Sequence, residues 1–375
     1  MTTFAIIALV CALIPSLLYL RNRFLFRAPP AFDGNLKLPA VSILIPARNE
    51  EASILAALEH VIASRGIEWE CIVLDDHSED RTAEIVRDIQ WKHPHVRLEM
   101  APALPHGWSG KQHACFVLSQ HAQHPLLVFL DADVRLSPDA IQRMILFQEQ
   151  SAAAIVSGFP KQETGTFLER LLIPMMHFLL LSYLPMDWMR RWRFSCFSAG
   201  CGQWFLTTRE AYDVVGGHAN PLVRASFHDG MKLPRAYRAN GFQTDVCDAT
   251  ELASCRMYHN AGQVWNGLSK NAVEGLGAPR LLWFMTLLLL CGQVVPFVLL
   301  TQIPTLPKWV AALILLACAG VYLPRIDATI RFRQSWLGAF LHPVGVIILL
   351  CIQWNAAIRA IIGKPVGWKG RPLPA

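Results

Sequence analysis

The stretch Leu126-Leu127-Val128-Phe129-Leu130-Asp131-Ala132-Asp133 limits what this chain can fold into more than any other. Five apolar residues after Pro125 read as a strand buried on both faces, which is the habit of parallel sheets. Two carboxylates, two positions apart, then leave its carboxyl end, where open α/β sheets place their ligands. Side chains alternate along extended backbone, so Asp131 and Asp133 can point the same way and share one divalent cation. An ordinary strand end followed by a turn accounts for the same letters, and the rest of the chain has to decide.

The flanking pattern supports the sheet. Val41–Pro46, Glu70–Leu74 and Val96–Met100 are short strand-like runs, while Glu50–Ser64, Arg81–Gln90, Lys111–Ala122 and Ser137–Gln150 carry helical apolar spacing. This β-α-β-α alternation predicts an α/β domain over 41–280 built on a doubly wound, mostly parallel sheet.

The ends are of another kind. With 53% hydrophobic residues in 375 and a mean hydropathy of +0.32, the chain is too apolar to be wholly soluble. Phe4–Leu20 is an apolar run followed by Arg21, Arg23 and Arg27, with no basic segment ahead of it and no clear cleavage site after it. It is expected to be a retained anchor over 1–27, its N-terminus outside and the remainder cytoplasmic. A Pro-rich linker over 28–40 follows. Region 281–375 holds three apolar stretches, Leu281–Ile303, Trp309–Leu323 and Pro343–Ile362. The first two read as the membrane helices of a hairpin that leaves Arg325, Arg331 and Arg333 cytoplasmic; the third carries Gln353, Asn355 and Arg359, and the basic tail beyond it (Lys364, Lys369, Arg371) leaves its topology open. Segment 167–193 is broken by Pro174 and Pro185 and closes on Trp188, Arg190, Arg191, Trp192 and Arg193. Helices lying in the bilayer interface fit it, with a buried core helix as the alternative. A net charge of +6, concentrated beside apolar segments, suits anionic lipid headgroups and not nucleic acid. Ten scattered cysteines without a C-x-x-C read as reduced thiols. The expected location is the cell's inner membrane, multi-pass, with the globular domain cytoplasmic.

Three further stretches carry chemistry. Asp75-Asp76-His77-Ser78 closes the second strand, where a carboxylate can accept from the imide N–H of a uracil; Ser78 or Asp80 is equally placed to cap the next helix. Pro46-Ala47-Arg48-Asn49-Glu50 follows the first strand; Arg48 can reach a diphosphate and Asn49 can cap a helix, or the segment is a simple turn. Gly107-Trp108-Ser109-Gly110-Lys111 opens a helix whose N–H groups, dipole and Lys111 favour phosphate, although its glycine spacing is not that of a Walker A loop.

The order of these motifs, continued by Ala199-Gly200-Cys201-Gly202-Gln203, Gly216-Gly217-His218, Phe227-His228-Asp229-Gly230 and Arg256-Met257-Tyr258, resembles family 2 glycosyltransferases with the GT-A fold over about Val41 to Asn271. The terminal apolar segments resemble the lipid-linked branch, which includes carotenoid- and hopanoid-associated transferases. The resemblance implies that Asp76, with Asp75, contacts the nucleotide base, that Asp131 and Asp133 hold Mg²⁺ or Mn²⁺ against the diphosphate of a nucleotide-sugar donor, and that Pro46, Arg48, Glu50, Lys111 and Arg256 belong to the donor site. Where the family places an acidic pair, this chain has His228-Asp229, so Asp229 is the expected base; a helix N-cap is its alternative. The processive members' Q-x-x-R-W is here Ala253-Ser254-Cys255-Arg256-Met257, which argues against a polysaccharide synthase and for an inverting transfer of one sugar, from a UDP-sugar to a membrane lipid. A non-catalytic membrane protein with a degenerate domain is the remaining rival.

Overall fold

The computed structural model describes residues 1–32, 37–272, 274, 275, 278 and 281–362. Part of the linker and the whole basic tail (Lys364, Lys369, Arg371) lie outside the described residues. The chain divides into two compact units: a sheet unit containing 26–163 and 187–257, and a helical unit containing 1–25, 164–186 and the residues from 258 onward.

The sheet unit is built on β1 (Val41–Ala47), β2 (Trp69–Asp75), β3 (Val96–Met100), β4 (Leu126–Leu130), β5 (Val134–Leu136), β6 (Ile155–Gln162), β7 (Trp204–Thr208) and β8 (Thr244–Cys255). Their order across the sheet is β3-β2-β1-β4-β7-β6-β8-β5. The first four strands are parallel, as their continuous apolar runs predict. Alternation sends Ile43, Ile45, Val73 and Val128 to one face, under the helices Ile54–Ile62 and Ala140–Ser151. Leu44, Leu74, Leu127 and Phe129 go to the other, under Gly110–His121 and Asp229–Ala239. Each such side chain, fully buried, contributes about 1.5–3 kcal/mol.

The second half of the sheet departs from a wholly parallel pattern. β7 runs antiparallel to both β4 and β6, β6 and β8 are parallel, and β5 is antiparallel to β8. This makes the sheet mixed, and the reversal has a consequence for chemistry. Because β7 opposes β4 with Leu130 beside Trp204, the residues just before β7 arrive where β4 ends. Because β5 opposes β8 with Val134 beside Cys255, the end of β8 arrives beside Asp133.

Among the described residues of the helical unit, four helices are long and apolar enough to cross a membrane: Thr2–Leu25, Leu282–Thr305, Lys308–Arg331 and His342–Ile361. The second is interrupted, its α-helix stopping at Gln293 and resuming at Val295 with Pro296 in the first turn. Thr2–Leu25 turns Ala5, Ala8, Ala12 and Ser16 inward while Phe4, Ile6, Ile7, Ile14 and Leu17 face out. Small residues inside and large apolar ones outside is the pattern of helices packed in lipid, where close backbone approach replaces the hydrophobic drive. A Cβ at Gly292 would come 2.4 Å from the Cys11 carbonyl oxygen, so only glycine admits that crossing. Pro324 has no N–H for the carbonyl of Gly320, and the Ser16 hydroxyl lies 2.5 Å from that oxygen instead. Within 164–186, Leu171, Leu172, Ile173 and Met175 are buried in this unit's core, whereas Trp188, Trp192 and Phe194, which belong to the sheet unit, are exposed. All ten cysteines are free thiols.

Trp204 is fully buried where β4, β6 and β7 meet, its ring against Gly158. Trp204→Ala is expected to destabilise the sheet unit by about 3–5 kcal/mol, read as earlier thermal unfolding of the purified protein followed by limited proteolysis.

Candidate active site

The parallel register of β1, β2 and β4 brings the loops after Ala47, Asp75 and Leu130 to one edge of the sheet. The first two loops are clasped together. Arg48 Nη1 donates to the Asp76 carbonyl oxygen (2.9 Å), Asp76 N–H to that of Ala47 (2.8 Å), and Asn49 N–H to Ser78 Oγ (2.9 Å). Asn49, at φ 52°, accepts from Glu79 N–H through Oδ1 and so locks the neighbouring loop rather than capping the next helix. Ser78 serves the same clasp, leaving Asp80 to accept from Thr82 N–H (3.0 Å) at the helix start. Asp75 and Asp76 are both buried. One Asp75 oxygen accepts from Ser78 N–H at 3.1 Å, and its other oxygen is buried without a partner. Glu50 N–H donates to Thr82 Oγ1 and its carboxylate accepts from Ser53. Pro46 sits inside β1, opposite Leu74.

The centre of the site is Lys111, in the first turn of the helix Gly110–His121. Its Nζ lies 2.6 Å from Asp131 Oδ1 and 2.9 Å from Asp229 Oδ2, and donates to the Gly202 carbonyl oxygen at 3.1 Å. Asp131 is held by its own N–H, which donates to the Gln203 carbonyl (3.0 Å). Asp229 is the first residue of its helix, and its Oδ1 accepts from Gly230 N–H (2.9 Å). Two glycines make this convergence possible. A Cβ at Gly202 would lie 2.0 Å from Asp229 Oδ1, and one at Gly230 would lie 2.6 Å from the Gly200 carbonyl oxygen.

The charges divide the carboxylates. Burial alone would raise the Asp229 carboxyl, but the Lys111 ammonium holds it below its ordinary value. Burial would lower Lys111, and Asp131 with Asp229 hold it well above its usual range. Asp131 is raised by burial against the pull of Lys111. Asp133 is pushed up to about 7 by burial, then by the charges of Asp131 and Glu50. Its Oδ1 is buried without a partner, and Cys255 lies against its carboxyl. Arg256 follows directly, half-buried beyond the end of β8.

The residues Lys111, Asp131, Asp133 and Asp229 are thus brought together, with Glu50 in electrostatic reach; Asp75, Asp76 and Arg48 line the neighbouring loops. Gln203 and Cys255 stood inside quoted motifs without a role of their own, because strand pairings remote in sequence bring them to Asp131 and Asp133. Gly202 and Gly230 stood inside motifs that were quoted for other residues, and their need for each other is a three-dimensional fact.

Acidic loops at the carboxyl edge of an α/β sheet, with a lysine between two of the acids, lie where such sheets bind their ligands. Residues 42–215 match the family model described as glycosyl transferase family 2. Over 255 residues the chain is 29% identical to 4,4'-diaponeurosporenoate glycosyltransferase of Staphylococcus aureus (strain USA300), covering 66% of this chain and 64% of that protein. It therefore spans 64% of the length of the curated relatives it matches. Among solved structures, the mannosyltransferase PcManGT from Pyrobaculum calidifontis, in complex with GDP-Man and Mn²⁺, is alike at a TM-score of 0.55 and 17% identity, over 97% of this chain and 99% of that one. That likeness is of the GT-A fold.

Gly202→Ala is expected to push Asp229 away from Lys111. Overpacking of this kind costs about 1–3 kcal/mol, so the protein should still fold, while its rate of sugar transfer drops by about 100-fold or more. Thermal unfolding and a transfer assay on the same preparation separate the two effects.

Proposed function

We propose that this chain is a membrane-bound, inverting glycosyltransferase that moves one sugar from a nucleotide sugar, a UDP-sugar, to a hydroxyl or carboxyl of a membrane lipid. The observation that carries this reading is the Lys111 bridge, which puts a donor-side carboxylate and an acceptor-side carboxylate both within 3 Å of one ammonium.

In this reading Asp229 takes the proton of an acceptor hydroxyl as its oxygen bonds to the sugar carbon and the bond from that carbon to the nucleoside diphosphate breaks; an acceptor carboxylate, already ionised, would attack without a base. Lys111 keeps Asp229 ionised for that role. Asp75 and Asp76 hold the base, the partnerless oxygen of Asp75 being free for an imide N–H. Pro46, Arg48 and Glu50 shape the donor side, and Arg256, beside Cys255, serves the diphosphate. The carboxylates fit a hard divalent cation, Mg²⁺ or Mn²⁺: Asp133 has a buried oxygen without a partner, and Asp131 lies close enough to raise the Asp133 carboxyl. Such a cation would neutralise charge on the departing diphosphate.

Transfer of a single sugar is favoured over polymerisation by Ala253-Ser254-Cys255-Arg256-Met257, which lacks the glutamine and tryptophan of processive members. A lipid acceptor is supported by the name of the S. aureus relative and by four helices of spanning length. The basic residues Arg21, Arg23 and Arg27 after the first helix favour an inner-membrane, multi-pass protein with its sheet unit in the cytoplasm.

Asp133→Ala should abolish sugar transfer from UDP-glucose or another UDP-sugar to extracted lipids while leaving expression intact; full activity in that variant would sink the mechanism. A second test needs no turnover. Among the described residues no cluster of three or more His, Cys, Asp or Glu is placed to hold a metal, and diphosphate oxygens would add ligands that two carboxylates lack. Mn²⁺ binding, followed by electron paramagnetic resonance, should tighten at least about 10-fold when UDP is added. It should also weaken as pH falls through about 7, where Asp133 takes up a proton and stops being a ligand.

A further inference from the structure

Arg325 is a charged side chain buried in the helical unit with no opposite charge beside it. It lies on the apolar helix Lys308–Arg331 and is 0% exposed. Its Nη1 donates to the Pro174 carbonyl oxygen at 3.1 Å, where the short helices Phe167–Leu172 and Met175–Tyr183 meet. Its Nε and Nη2 are buried and have no partner. No described acid of the same unit, Glu274 included, acts on Arg325. Asp327 takes Tyr19 Oη and Arg23 Nε, both at 2.8 Å, and Glu169 closes the capping box with Thr166. His342, also 0% exposed and within electrostatic reach of Arg325, spends Nε2 on Gln293 (3.1 Å) and leaves Nδ1 without a partner.

Two features give the missing partner a chemistry. A guanidinium buried among apolar helices without a counter-charge is costly, and such residues mark ligand sites. The two unsatisfied nitrogens, Nε and Nη2, form the side-on edge of the guanidinium, whose parallel N–H bonds match two oxygens of a carboxylate or phosphate. Arg325 stands six residues before the helix end at Arg331, about 9 Å along the axis, so a lipid head drawn in from that end has less than two helical turns to pass.

We propose that Arg325 is the anchor of a binding site for the oxyanionic head, phosphate or carboxylate, of a membrane lipid. The lipid head takes the Nε/Nη2 edge, and His342 closes the site from the side. This goes beyond sugar transfer and rests only on these helices lying in a bilayer.

The test uses the purified full-length chain in nanodiscs. Dioleoylphosphatidylglycerol mixed into dioleoylphosphatidylcholine should raise the thermal unfolding temperature of the wild type by several degrees. Arg325→Gln should lose that rise, while Arg333→Gln, on an exposed arginine past the helix end, should keep it. Should Arg325→Gln fail to fold, Arg325→Lys keeps the charge but not the two-pronged edge, and its retained lipid can be counted by native mass spectrometry. One anionic lipid on the wild type, and several-fold less on the lysine variant, is the expected result. An equal response in wild type and Arg325 variants overturns the site. A rise produced as fully by inorganic phosphate in pure phosphatidylcholine discs overturns the lipid as its source.

Discussion

The Lys111 ammonium is the interaction on which the candidate active site depends. Asp131 comes from the end of β4 and Asp229 from the start of a helix about a hundred residues later. Two like charges about 4 Å apart repel by about 4 kcal/mol at the effective dielectric of a protein near its surface. One ammonium between them converts that repulsion into two attractions and fixes where both carboxylates sit. The backbone is arranged around the same point: Gly202 supplies the carbonyl that Lys111 also binds, and lacks the side chain that would displace Asp229.

Local rules made half of this legible. The strands β1, β2, β3 and β4 are short apolar runs separated by helices with clear spacing, and their carboxyl ends advertise Asp75, Asp76, Asp131 and Asp133 directly. The other half was hidden because its signals are not local. β8 carries Asp245, Asp248 and Glu251 in its sequence, which breaks the apolar alternation expected of a strand. Asp245 is tolerated there because Arg190 reaches it at 3.0 Å from far along the chain. β6 contains Pro160 and an irregular register beside it. Lys111 was legible as a phosphate-seeking residue at a helix start, but its two carboxylate partners come from elsewhere in the fold. Segment 167–193 shows the same limit: its apolar half is buried by helices remote in sequence, and its aromatic end is exposed.

Buried charges follow one rule in the sheet unit. Glu70 accepts from Ser42, Gln123 and Arg97, Asp245 pairs with Arg190, and Arg238 spends its guanidinium on the carbonyls of Met189, Trp192 and Thr244. Each is saturated by the protein itself, as a group removed from water must be. The helical unit satisfies its backbone in the same way, down to the Ser16 hydroxyl beside the carbonyl that Pro324 leaves open. Among charged side chains, the bare edge of Arg325 and the partnerless oxygens of Asp75 and Asp133 depart from that rule.

The same reasoning orders events at Lys111. On the proposed reading, an octahedral cation held by two carboxylates would take its remaining oxygens from diphosphate and water. A cation at Asp131 would meet the ammonium already there, and a diphosphate would offer that ammonium a stronger partner than a single carboxylate. Were Lys111 to turn toward phosphate, its hold on Asp229 would loosen, and the Asp229 carboxyl would rise from the depressed value the ammonium imposes. Asp229 would then be a better proton acceptor with the donor seated than without it, and a base held weak by its own salt bridge would limit the activation of water in the donor-free site.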